Sequence, residues 1–305
     1  MIDFRPIELK DKEWMDRLVF GSGERSYEYV FTNQWAWIDS YFPEIADVEG
    51  CFTLRASYGP ETFYLCPVGG DEMAAVLKLA EEAKERGQQL IILSVSPKHR
   101  PKYEEWFPGA FEFEEDRDSE DYLYTVEKLS ELAGKKLHGK RNHINKFLSL
   151  YPDWSFEPIT EENKELCLCM DNLWMKENMD NDDLVSVNNE RMAIKRCIDN
   201  FEFLGLEGGL LRVGGRVVAM TIGEPINDSD SYDVHFEKAD LNYEGSFTMI
   251  NRCFARWICD NHPNIRYINR EEDMGLPGLR QAKESYKPDK MMVKYSARLI
   301  GDILG

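Results

Sequence analysis

The stretch SYDVHFEKADLNYEGSFTMINRCFARWICDNHPNIRYINRE, residues 231–271, decides how the C-terminal half of this chain is read. Ser231 to Lys238 alternates polar and apolar residues and predicts a strand. Asn242-Tyr243-Glu244-Gly245-Ser246 predicts a turn. Phe247, Ile250, Phe254, Trp257 and Ile258 then fall at helical intervals, marking one long amphipathic helix. Ile265 to Glu271 predicts a second strand. The order read here is strand, turn, long helix, strand.

Working outward, Gly208 to Val213 and Arg216 to Gly223 flank Gly214-Gly215, a hairpin signal. Thr160 is a candidate N-cap for a helix through Leu166, Met170, Leu173 and Trp174, and a second helix is expected from Asn189 to Phe201. After the central stretch, Leu276 to Tyr286 predicts a helix and Met291 to Leu299 a last strand. The first half repeats this grammar. A hairpin turns at Gly59-Pro60, Asp71 caps a helix that stops at Gly87, and Leu90 to Val95 predicts a buried strand. A helix near Pro101 to Phe107 and strands at Phe111 to Phe113 and Tyr122 to Val126 follow. At 305 residues the chain is expected to hold two domains. We place the first at 1–130, a basic connecting helix at 131–154 and the second at 155–305.

Composition excludes several classes. A net charge of −19 disfavours nonspecific binding to DNA. Seven acids and one base crowd residues 112–121, whereas Lys135, Lys136, Lys140, Arg141 and Lys146 follow with no acid among them. The seven cysteines lack any C-x-x-C spacing, so no metal site is expected from them. No apolar run reaches a membrane span's length and no secretory signal opens the chain, so a cytoplasmic protein is expected, with peripheral membrane contact as its one possible link to a bilayer.

The order of elements in the second half looks like the GNAT acyltransferase fold. More specifically, Phe31-Thr-Asn-Gln-Trp-Ala-Trp37, Lys136-Leu-His-Gly-Lys-Arg-Asn-His-Ile-Asn-Lys-Phe147, Asn269-Arg-Glu-Glu-Asp-Met-Gly275 and Gly278-Leu-Arg-Gln-Ala-Lys-Glu-Ser-Tyr-Lys-Pro288 resemble the phosphatidylglycerol lysyltransferase C-terminal-domain family. The resemblance implies an α+β protein of two GNAT-like domains in tandem, each a mixed, mostly antiparallel sheet flanked by helices. It also implies an acyltransferase using acyl-CoA or aminoacyl-tRNA as donor, an amine or hydroxyl as acceptor, and no permanently bound cofactor. The alternative is a non-catalytic tandem GNAT-like binding protein.

Candidate residues follow from that fold. Transfer of this kind needs a positioned pair of reactants, a proton acceptor and charge stabilisation. Asp233, His235 and Glu237 alternate on one strand and are expected to share one face. His235 is attractive as a near-neutral titrating group. Asn269, Arg270, Glu271 and Asp273 crowd the end of the next strand, where strands of such sheets splay apart. Glu271, His235 and Tyr286 are the catalytic candidates; Asn269, Arg270, Asp273, Lys283 and Asp233 are the substrate-binding ones. Lys283 falls on the packing face of the last helix and, once buried, demands a partner. Tyr243, Gly245 and Ser246 open the long helix and are the candidates for donor phosphates, although Glu244 opposes an anion there. Lys136, Lys140 and Arg141 are the candidate tRNA contacts, or else a solvated helix face.

Overall fold

The computed structural model describes residues 2–170 and 184–305. Two mixed sheets flanked by helices account for it. The expected helix beyond residue 170, through Leu173 and Trp174, lies outside the described residues; residues 165–170 are helical. All seven cysteines are free thiols.

The chain divides into two units, Met1–Asp121 with Glu272–Gly275 and Met292–Gly305, and Tyr122–Glu271 with Leu276–Met291. In the first, an eight-stranded sheet runs in the order Arg5–Pro6, Glu44–Val48, Cys51–Tyr58, Glu61–Leu65, Ile91–Val95, Tyr295–Leu299, Phe111–Glu115, with Val68–Gly69 beside Cys51–Tyr58. The expected hairpin closes with Tyr58 opposite Glu61. Asp71 caps the helix Glu72–Glu85, its carboxylate accepting from Ala74 N–H at 3.0 Å. That helix buries Val76, Leu79 and Ala80 against Tyr64, Ile92 and Val95.

The second unit holds a seven-stranded sheet ordered Lys290–Met292, Asp121–Thr125, Tyr267–Asn269, Ser231–Ala239, Arg216–Pro225, Glu207–Val213, Ser155–Pro158. Arg216–Pro225 and Glu207–Val213 form the Gly-Gly hairpin. The long helix Ser246–Asn261 buries Met249, Ile250, Phe254 and Ile258 against Tyr232, Val234 and Ile268. Helix His138–Leu150 adds Ile144 and Phe147 to the same core.

This partition differs from the contiguous one expected from sequence. Asp121–Thr125, read as the last strand of a domain ending at 130, hydrogen-bonds Tyr267–Asn269 in the second sheet. The segment 131–154 is no connector, because the apolar face of its helix is spent in the second core. Met291 to Leu299, read as one strand, is two: Lys290–Met292 joins the second sheet and Tyr295–Leu299 the first. Alternation of side chains fixes which residues face a core, but not which sheet a strand enters.

Candidate active site

The second unit's parallel strands, Ser231–Ala239 and Tyr267–Asn269, pair over three positions only, ending at Asp233 opposite Asn269. Ser231–Ala239 runs on for six residues after its neighbour has ended. Pairing therefore stops at a defined point, and the polar residues following Asn269 emerge there.

A β-bulge reorganises the longer strand at this point. Gly223 pairs with Val234 and Ile222 with Phe236, so His235 is an extra residue without a cross-strand counterpart. A bulge bends the strand and resets its alternation. Tyr232 and Val234 pack towards helix Ser246–Asn261 before the bulge; Glu237 reaches the same helix after it, accepting from Asn251 Nδ2 at 3.0 Å. Glu237 thus leaves the face carrying Asp233 and His235. The expected three-residue polar stripe is broken by the bulge into a pair and a single group on the other face. Gly223 permits the bulge, because a Cβ there would lie 2.1 Å from the Asp233 carbonyl oxygen.

On the first face four side chains meet. His235 Nδ1 lies 3.3 Å from Glu271 Oε1 and 3.5 Å from Asp233 Oδ2, and its Nε2 lies 3.1 Å from Glu224 Oε1. Glu224 is the cross-strand neighbour of Asp233. Two carboxylates directly opposed on a sheet repel, so the pair calls for a cation between them. Burial alone would pull the His235 pKa down, but the Asp233 charge and the hydrogen bonds to Glu224 and Glu271 raise it well above the ordinary histidine value. The surrounding carboxylates thus favour the charged ring and work against His235 as the proton acceptor expected of it. Asp233, His235 and Glu271 also present ligand atoms within 4.8 Å of one another, a metal-site spacing that requires His235 to be neutral and that a protonated ring does not serve. Glu271 sits at φ 54°, in the left-handed region. Its N–H donates to Asn269 Oδ1 at 2.7 Å and its carbonyl accepts from Tyr122 N–H at 3.2 Å. Such a conformation costs about 1–3 kcal/mol, and strain of this kind clusters at functional sites.

On the other face, Arg270 donates from Nη2 to Glu237 Oε1 at 2.9 Å. Its guanidinium lies 5.0 Å from the ring centre of Tyr286 and 5.9 Å from that of Tyr124. Burial opposes its charge, but Glu237 and the two tyrosines sustain it and raise its pKa. Lys140 Nζ stands 3.8 Å above the Tyr286 ring. Burial, seconded by the Arg270 charge, pulls the Lys140 pKa down to about 8. Burial pushes Tyr286 up to about 12, with Arg270 opposing. Lys140, a candidate tRNA contact from its basic stripe, sits beside Arg270 and Tyr286.

The remaining candidates are scattered. Lys283 is buried, as its spacing predicted, with its ammonium 5.8 Å from the Tyr122 ring centre. Asp273 belongs to the first unit, where it meets Arg117 Nη1 at 3.3 Å. Gly245, at φ 89°, is packed against helix His138–Leu150: a Cβ would lie 2.6 Å from the His143 carbonyl oxygen. Ser246 spends its hydroxyl on the Asp240 carbonyl at 3.2 Å and its N–H on Tyr243 at 3.0 Å. The Tyr243 ring lies tilted against that of Tyr151, with 5.3 Å between ring centres. With the Asp240 and Glu244 carboxylates in the same loop, the start of the long helix does not make the anion cradle expected of it. Arg141 donates to the Leu132 and Gly134 carbonyls, and Lys136 is exposed. Glu224 was missed from sequence. Its signal is positional, being the residue across the hairpin from Asp233.

Among the described residues no helix is long and apolar enough to cross a membrane. An uncharacterised protein of Mycoplasmoides gallisepticum is 24% identical over 203 residues, covering 64% of this chain and 62% of that protein's length. A solved conserved protein of unknown function from Bacteroides thetaiotaomicron is 39% identical, with TM-score 0.90 over 98% of this chain and 100% of that one. The C-terminal domain of a putative lysylphosphatidylglycerol synthetase from Agrobacterium fabrum superposes at TM-score 0.65 over 96% of this chain and 91% of its own, at 13% identity, which is likeness of fold alone. Residues 21–298 match the family described as phosphatidylglycerol lysyltransferase, C-terminal, and the chain belongs to that family.

Proposed function

We propose that the second unit transfers an aminoacyl group from an aminoacyl-tRNA to an amine or hydroxyl acceptor in the opening between Ser231–Ala239 and Tyr267–Asn269. The observation that carries this reading is the three-residue parallel pairing, followed by separation of the strands with Arg270 and Glu271 leaving the shorter one. Family and fold supply the acyltransferase class; the charges narrow the donor. Glu224, Asp233 and Glu271 surround a single imidazolium, so carboxylates remain in excess and suit the α-ammonium of an aminoacyl ester. The Asp240 and Glu244 carboxylates at the start of the long helix offset Arg216 and Lys146 and leave no excess positive charge there for the pyrophosphate of acyl-CoA.

In this reading the acceptor attacks the ester carbonyl, a new C–N or C–O bond forms, and the bond to the tRNA 3′-oxygen breaks. Glu271, the most exposed of the three carboxylates, takes the acceptor's proton. His235 fixes its orientation through the 3.3 Å contact. Tyr286, which keeps its proton at neutral pH, is the candidate donor to the departing oxygen.

The test is a transfer assay with charged tRNAs and acetyl-CoA as donors, and phosphatidylglycerol vesicles and a soluble amine as acceptors. Turnover with a charged tRNA is expected, lowered about 100-fold or more in Glu271→Gln. Turnover with acetyl-CoA alone would overturn the donor. No transfer from any donor, with binding retained, would leave the non-catalytic reading.

A further inference from the structure

Lys140 and Arg270 are half-buried cations that share one nearby carboxylate, Glu237, and that carboxylate is already committed. Glu237 gives Oε1 to Arg270 and Oε2 to Asn251. Lys140 makes no hydrogen bond or ion pair among the described residues; its contact is the Tyr286 face. Arg270 Nη1 is buried and has no hydrogen-bond partner among the described residues. A buried guanidinium N–H left unsatisfied costs free energy that a ligand oxygen would recover. Burial and the neighbouring Arg270 charge hold Lys140 near the edge of losing its proton, as expected where positive charge exceeds negative. An anion placed between the two cations would reverse both effects.

The position of this pair matters as much as its charge. Arg270 and Glu271 are consecutive and leave the strand to opposite faces, Arg270 towards Glu237 and Glu271 towards His235. The sheet is open between them. One face of the opening therefore carries excess negative charge and the other excess positive charge. The aminoacylated end of a tRNA has the same polarity, with an α-ammonium on one side of the ester and the phosphate of the terminal nucleotide on the other.

We propose that Lys140 and Arg270 form a phosphate subsite for the terminal nucleotide of the donor, with the Tyr286 ring as its floor. This deepens the reading of the opening as a transferase site and rests on it. Lys140 serves as the phosphate's adjustable partner, Arg270 as the fixed one anchored by Glu237.

The test uses the whole protein and a hydrolysis-proof ligand, an aminoacyl adenosine joined through a 3′-amide, with and without a 5′-phosphate. Calorimetric titration is expected to show at least about tenfold tighter binding for the phosphorylated form, as for one charge-assisted contact of about 1.4 kcal/mol. Lys140→Gln should erase that increment while binding the unphosphorylated form as the wild type does, and Lys140→Arg should restore most of it. Labelling of the Lys140 amine with an acylating reagent across pH 7–10 should show its titration shift upward when the phosphorylated ligand is bound. An increment that persists in Lys140→Gln, or no increment in the wild type, overturns the subsite. The phosphate increment without any transfer activity keeps the subsite and removes the transferase reading; transfer without the increment does the reverse.

Discussion

At Asp289 a single carboxylate ties the end of the last helix to the neighbouring strand. Its Oδ2 accepts from Thr125 N–H at 2.8 Å and its Oδ1 from Lys128 Nζ at 2.5 Å, while Lys128 also donates to the Lys287 carbonyl at 2.7 Å. Burial would raise its pKa, but these bonds outweigh burial and hold it below the ordinary aspartate value. A depressed carboxylate stabilises the fold above its unfolded pKa of about 3.9, and that stabilisation is lost as pH falls through the folded value. Asp289→Asn is therefore expected to cost about 1–2 kcal/mol at pH 7, with the difference from wild type shrinking below pH 4. Urea unfolding of both proteins from pH 7 to pH 3 reads this, and a difference independent of pH would contradict it. Single residues were partly legible in the sequence. Asp233, His235, Asn269, Arg270 and Glu271 were picked out by polarity along these strands; Asp233, His235 and Glu271 meet, and Arg270 leaves to the other face. The chemical state of His235 was not legible, because it depends on Glu224 from a strand a dozen residues earlier. Lys140 was read from its neighbours in a basic run, whereas its environment is set by Arg270 and Tyr286, far along the chain.

At the scale of elements, the bulge at His235 does most to build the site. Without it Glu237 would share a face with Asp233 and leave Arg270 without its carboxylate. The bulge depends on Gly223, whose missing side chain lets the Asp233 carbonyl and the Tyr232 ring approach. Gly223→Ala places a carbon 2.1 Å from that oxygen, so the strands must shift or the bulge must move. We expect a loss of about 1–3 kcal/mol and a disproportionate loss of the Glu271-dependent transfer activity, measured by thermal unfolding and by the transfer assay on the folded fraction. Wild-type activity in a protein destabilised by that amount would show that the bulge serves the sheet and not the site. Helices and hairpins were legible because their signals are local: periodicity for Ser246–Asn261, Gly-Gly for the hairpin, Asp71 for a cap. A bulge has no such signature, since one inserted residue leaves the alternation of a nine-residue strand looking regular.

At the scale of the whole chain, the last dozen residues matter more than a contiguous division into domains would allow. Tyr295–Leu299 is an inner strand of the first sheet, hydrogen-bonded to Ile91–Val95 on one side and Phe111–Glu115 on the other. Just before it, Lys294 is fully buried and meets Asp121 at 2.5 Å and Glu28 at 2.8 Å. Burial opposes the charge on Lys294, but the two carboxylates raise its pKa far above the usual lysine value. Ser94, at φ 59°, donates to Glu28 at 2.6 Å and belongs to the same network. Two independent terms thus rest on the C-terminal segment: the ladder of a central strand, and the cation that neutralises the buried Glu28 and Asp121 carboxylates. Removing one partner of such a pair costs about 3–5 kcal/mol, a large part of the stability of an ordinary domain. A chain ending at Val293 is therefore expected to lose the first unit's fold, and hydrogen exchange should show Ile91–Val95 and Phe111–Glu115 unprotected. The fragment 1–130 should fail in the same way, although a boundary near 130 is what the sequence suggested. Lys294→Met separates the two terms: it keeps the strand and removes the cation, so it should retain protection in Ile91–Val95 at neutral pH while lowering the unfolding temperature. Persistence of the sheet in the chain ending at Val293 would mean that the seven strands before it suffice, and that Tyr295–Leu299 decorates a sheet it does not hold together.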